Sequence, residues 1–242
     1  MTQLLALLTA YGAVAIAAWL AVLLYPHRIP AADSRRLPDR WRWTGGYLLA
    51  LLAAVGLGML EARDWLFAAD TTPGTMANRL LIYAPLLAFV FWRRSLAAAL
   101  LPRRDVLASL AIGLAFAVLA LAAWFSVIGP QQFPAFAASI TQANTVAVAL
   151  RAALFDIALG TWLALLADGW SRRVALAVTS LATFAAHIAF SLAGGIDSGE
   201  LLSALTAGAI ALGLFSAVLA TRNVLWFFPV HLALSLALAQ AG

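Results

Sequence analysis

The chain has no cysteine and no lysine, and only three histidines and ten acidic residues. Without cysteine there is no disulfide, no thiol nucleophile and no thiolate-held metal. Charged residues make up 10% of the 242 positions, where soluble domains average about 25%. The polar stretches are too short to build a soluble domain of any size. What fills the chain instead is apolar: 64% hydrophobic residues and a mean hydropathy of +0.96. That composition belongs to an integral membrane protein. The formal charge of +5 is carried entirely by arginine and sits mostly in short loops, so it is a topology signal. No nucleic-acid partner is expected, and membrane lipid is the expected surrounding.

Eight apolar segments are expected to span the bilayer: 4–25, 45–60, 79–94, 106–128, 145–167, 173–194, 201–221 and 223–241. Each is near the ~20 residues that cross hydrocarbon, the second and third being the shortest. The first lacks the basic start of a signal peptide and runs long for one, so it reads as a membrane helix. The expected fold is an all-α, polytopic bundle of about eight transmembrane helices, one domain over 1–242 without internal repeats.

Arginine placement sets the expected orientation. Loop one holds Arg28, Arg35, Arg36, Arg40 and Arg42; loop three holds Arg93, Arg94, Arg103 and Arg104. Loops five and seven hold Arg172, Arg173 and Arg222, whereas loop two has Arg63 and loops four and six have none. Odd loops are therefore expected inside and both termini outside. The Ala/Leu-rich, lysine-free composition points to a high-GC bacterium and to its cytoplasmic (inner) membrane. In loop four, Gly129-Pro130-Gln131-Gln132-Phe133-Pro134 is not expected to start as helix, because proline removes donors and fixes φ. It reads as a connector on the membrane surface.

Chemistry is sparse, which makes the exceptions informative. Of the ten acids, Asp156 alone lies near the middle of a span, where it costs roughly 2.5–3.5 kcal/mol on insertion scales. His187 lies deep in the sixth span, with Ser191 one turn on. His231 lies in the last span, with Ser235 in the same relation. Each has a purely structural reading, the aspartate neutral or paired and each histidine bonded to a serine or carbonyl. Counted from the inner ends of their spans, the depths of the three differ by roughly 9 Å at ~1.5 Å per residue. Tilt and long side chains close that gap, so one shared cavity is expected.

The order and spacing of these residues resemble the CPBP group, the CAAX proteases and bacteriocin-processing enzymes also called the Abi family of intramembrane proteases. Arg222-Asn-Val-Leu-Trp226 followed by His231 and Ser235 has the cadence of that family's last motif. His187 stands where its second motif has a histidine, with Phe184 three rather than four residues ahead. Its first motif, Glu-Glu-x-x-x-Arg, is degraded here: Asp156 stands for one glutamate beside Phe155, and Gly160 or Thr161 stands for the arginine. The resemblance covers 105–240. It implies an intramembrane endopeptidase in which Asp156 and His187 activate water, His231 donates to the oxyanion, and Ser235 replaces an amide. The implied substrate is a membrane-associated peptide or protein, and a membrane protein partner fits the same picture.

Two other classes stay open: a catalytically inactive CPBP-like scaffold or partner subunit, and a small transporter or proton relay using the same three residues. The paired inverted halves usual in transporters are not evident. There is no rhomboid-like serine and histidine, no His-Glu-x-x-His helix and no paired aspartate motif. No cofactor is expected. Two histidines and one aspartate can hold zinc with an open site, and His187, His231 and Asp156 are the set that would do so; a metal-free site is the expectation.

Overall fold

The computed structural model describes residues 2–25, 39–68, 71–92, 105–142, 144–191 and 198–241; the side chains of 186–191, 198–200, 203 and 241 lie outside that description. The described residues form α1 (Thr2–Leu24), α2 (Arg40–Glu61), α3 (Thr72–Trp92) and α4 (Val106–Ile128). A 3-10 turn, Pro130–Gln132, leads into the short α5 (Phe133–Ser139). The chain closes with α6 (Asn144–Gly169), α7 (Arg172–Ser191), α8 (Ser198–Thr221) and α9 (Phe227–Ala241).

Each of the eight expected spans corresponds to a helix, but among the described residues six rather than eight are long and apolar enough to cross a membrane: α1, α2, α3, α4, α6 and α8. They make the chain a polytopic membrane protein by length and composition. The two that fall short do so for different reasons. For α7 only 172–185 have described side chains, a stretch too short to count as a span. α9 has 15 residues, about 22 Å of helix at 1.5 Å per residue, against a hydrocarbon core of about 30 Å.

Two loop expectations are also corrected. α2 begins at Arg40, so Arg40 and Arg42 are helical, and the Arg40 guanidinium lies 4.7 Å from the Trp170 ring centre. The fourth loop is helical from Pro130 to Ser139. Proline is disfavoured in helix interiors, although α3 holds Pro85, whereas at the first positions of a helix its missing donor costs nothing. Pro130 and Pro134 occupy such positions.

Between helices, small residues do the packing that membrane bundles require. On α1, Ala6, Ala10, Val14 and Ala18 form one buried stripe at four-residue spacing, facing α4 and α8. α4 answers with Ser109, Gly113 and Ala117 on its buried side. A Cβ at Gly113 would stand 2.5 Å from the Trp226 carbonyl oxygen and 2.9 Å from the Pro229 ring. Only glycine permits this approach of α4 to the start of α9. Away from these seams, Leu23, Leu49, Leu52, Leu107 and Val118 are exposed, an apolar coat suited to lipid.

α6 is shared by two cores. One face joins α2 and α3 through Trp43, Tyr47, Leu86 and Phe89 packed on Ala158 and Leu165, with the Tyr47 hydroxyl donating to the Ala158 carbonyl at 2.9 Å. Its other side joins α1, α4, α8 and α9. In the middle of α6, Phe155 and Ile157 are exposed, whereas Asp156 between them faces the protein and is buried.

Candidate functional site

The site depends on a turn that lies inside the protein. Between α8 and α9, Thr221, Arg222, Asn223, Val224 and Trp226 are all buried. Irregular backbone is tolerated at such depth only when its polar groups are satisfied internally. Here the Asn223 side chain accepts from the Leu225 N–H at 2.9 Å and donates to Ser109 Oγ at 2.8 Å. Trp226 Nε1 donates to Thr221 Oγ1 at 3.0 Å, and the Phe227 N–H donates to the Val224 carbonyl at 3.0 Å. Arg222, in the left-handed region at φ 48°, sends its guanidinium to Asp168 in a two-pronged pair of 3.1 and 3.0 Å. Arg222 is thus 8% exposed and ties the end of α8 to the end of α6.

Sinking this turn decides where His231 stands. From the Gly169 end of α6, Asp156 is about 20 Å in, whereas His231 is only about 6 Å along α9. The two meet because α9 begins within the bundle. His231 Nδ1 lies 2.7 Å from Asp156 Oδ1. Phe155 and Phe227 hold the imidazole, one edge-on with ring centres 5.1 Å apart and the other stacked at 5.9 Å. Asp156 is 3% exposed, and its second oxygen, Oδ2, has no hydrogen-bond partner among the described residues.

Of the four residues expected in the site, the structure brings three together. Asp156 pairs with His231, and His231 and Ser235 line one cavity of about 560 Å³. His187 belongs to α7, but its side chain lies outside the described residues. The resemblance implies that Asp156 and His187 activate water; the partner that Asp156 shows among the described residues is His231, which the buried turn brings to its level. Among the described residues no three His, Asp or Glu side chains come together as a metal-ligand group.

Three functional groups escaped the sequence reading. Tyr11, Tyr83 and Arg151 line the same cavity. Tyrosine on an apolar helix is indistinguishable from core or interface packing by sequence, so Tyr11 and Tyr83 gave no signal. Arg151 gave one: it stands seven residues into α6, away from the arginine-rich loops. A second, apolar cavity of about 260 Å³ lies between α1 and α8 and shares Leu7, Tyr11, Phe155 and His231 with the first. His231 therefore faces at once an apolar groove and a chamber whose largely apolar wall carries a few polar side chains.

Comparison with protein-family models, with curated proteins and with solved structures finds no match.

Proposed function

We propose that the protein is a divergent intramembrane peptidase of the CPBP type, acting on a membrane-associated peptide. The observation that supports it is the 2.7 Å bond from Asp156 to His231 at the wall of a chamber that also holds Ser235. A carboxylate on Nδ1 fixes the imidazole tautomer and orientation and leaves Nε2 as the basic nitrogen, the logic of acid–base dyads generally. In that role Nε2 takes a proton from water as the water oxygen adds to the peptide carbonyl carbon. The Ser235 hydroxyl, one turn further along α9, is the donor available to the resulting oxyanion. Return of the proton from Nε2 to the amide nitrogen breaks the C–N bond and releases an amine and a carboxylic acid. His231 thereby takes the base's place, where the family resemblance puts it at the oxyanion.

The aromatic clamp of Phe155 and Phe227 serves this chemistry by limiting ring motion. A displacement of 1 Å at a reacting group costs on the order of 100-fold in rate. The buried turn at 222–226, locked by Asp168 and Ser109, serves it in the same way from the other side.

The test is N-terminal peptide mapping of membranes from cells producing the wild type, Asp156→Asn or His231→Gln. The peptidase reading expects new termini with the wild type that both variants lose, at unchanged protein levels. Identical termini in all three would leave an inactive CPBP-like scaffold or partner subunit as the better reading. Proton flux into liposomes that depends on Asp156, without cleavage, would instead make the dyad a relay.

A further inference from the structure

The charge on the chamber wall, carried by the exposed Arg151, has no counterpart among the described residues. Of the arginines on the arginine-poor side of the expected topology, Arg79 is paired with Glu61 at 2.9 Å, and Arg63 lies over Trp65 at 5.8 Å. Arg151 lines the chamber and forms no ion pair among the described residues. Asp156, five residues on along α6, gives its carboxylate to His231. Tyr11, Tyr83 and Ser235 also line the chamber and have no hydrogen-bond partner among the described residues. One cation and three hydroxyls thus converge on a space of about 560 Å³, within the ~300–1,000 Å³ of ordinary ligand cavities.

The neighbouring groove supplies the other half of a recognition pattern. It is lined by Leu4, Leu8, Ile210 and Leu214 and is continuous with the chamber at Tyr11, Phe155 and His231. A ligand that satisfies both carries an acidic head and a hydrocarbon chain. Arginine binds phosphate and carboxylate through paired, charge-assisted hydrogen bonds, and the apolar groove favours a hydrocarbon chain because it removes CH₂ groups from water.

We propose that the chamber and groove together bind an anionic lipid, with its acidic head on Arg151 and one acyl chain between α1 and α8. Seated so, the head–chain junction lies against His231, and the lipid occupies the space a peptide substrate would need. Its binding does not depend on hydrolysis at the dyad.

The experiment measures binding of two single-chain probes, oleoyl-lysophosphatidylglycerol and oleoyl-lysophosphatidylcholine, to the purified full chain in maltoside micelles. They share a chain and differ in net head charge. Native mass spectrometry and thermal unfolding report occupancy. The anionic probe is expected to bind at least about tenfold more tightly than the zwitterionic one, a difference of about 1.4 kcal/mol. Arg151→Gln is expected to erase that preference, Arg151→Lys to keep part of it, and Leu8→Trp to weaken the probes by filling the groove. Equal binding of both heads, or an Arg151→Gln protein that melts like wild type and still prefers the anionic probe, overturns the proposal. Competition by glycerol 3-phosphate as strong as by the lysolipid also overturns it, since a free phosphate site needs no groove. The same measurement on Asp156→Asn separates the two readings: intact lipid preference there, with no change in peptide termini, removes the peptidase and leaves the lipid site.

Discussion

Asp156 and His231 are 75 positions apart in the chain and 2.7 Å apart in space, joined through Oδ1 and Nδ1. A pair that acts as one unit loses its function when either member is removed, and little more when both are. Asp156→Asn and His231→Gln are each expected to lower product formation by at least about 100-fold, within the usual 10²–10⁴ of general base catalysis. The double variant should match the singles. Additive losses, measured by quantifying cleaved termini, would mean the two side chains work separately.

The Arg222–Asp168 pair has side chains only 10% and 7% exposed. Removing one partner of a buried ion pair leaves an uncompensated charge and costs about 3–5 kcal/mol. Arg222→Ala or Asp168→Ala should therefore lower the unfolding temperature in detergent sharply. The double variant Arg222→Met with Asp168→Leu should recover most of the loss. Unfolding curves for the three proteins check this, and unchanged curves for the single variants would show that the pair does not hold the turn.

Gly113 gives the turn its seat against α4. Alanine there puts a methyl 2.5 Å from the Trp226 carbonyl, and overpacking of this kind costs typically about 1–3 kcal/mol. Because the shift falls at the start of α9, Gly113→Ala should also reduce dyad-dependent cleavage. Gly56→Ala is the control, since nothing stands within 4 Å of its added carbon; it should remain within about 1 kcal/mol of wild type. Equal melting temperatures for the two variants would count against close packing at Gly113.

Topology is testable without first removing native thiols, because the sequence has no cysteine. Ser34→Cys lies in the arginine-rich first loop and Gln131→Cys in the arginine-free fourth. With both termini outside, an impermeant maleimide added to intact cells should label the second and spare the first. The reverse result would invert the protein.

Much of the architecture was legible in residue order alone, and the failures are local. The placement of α1, α4 and α6 follows from long apolar runs, because hydropathy reports burial in lipid or protein without reference to partners. Loop four was misread because proline's effect depends on its position within a helix: Pro130 and Pro134 are helix starters here, not breakers. α9 was expected to start at 223 and starts at Phe227, since Asn223 bonds Leu225 and Ser109 instead of continuing a helix. Sequence spacing cannot show that a polar turn lies buried.

Residue order by itself determined that the chain lives in a membrane, that it is helical, and that Asp156 and His231 need a reason to be there. Those follow from the free energy of placing each residue type in hydrocarbon, a property of composition and local run length. Tertiary structure alone decided which side chain meets Asp156, and that Tyr11, Tyr83 and Arg151 share the chamber with His231. That choice rests on helix depth, and depth was set by a buried turn whose hydrogen bonds and Arg222–Asp168 pair connect residues up to 114 positions apart.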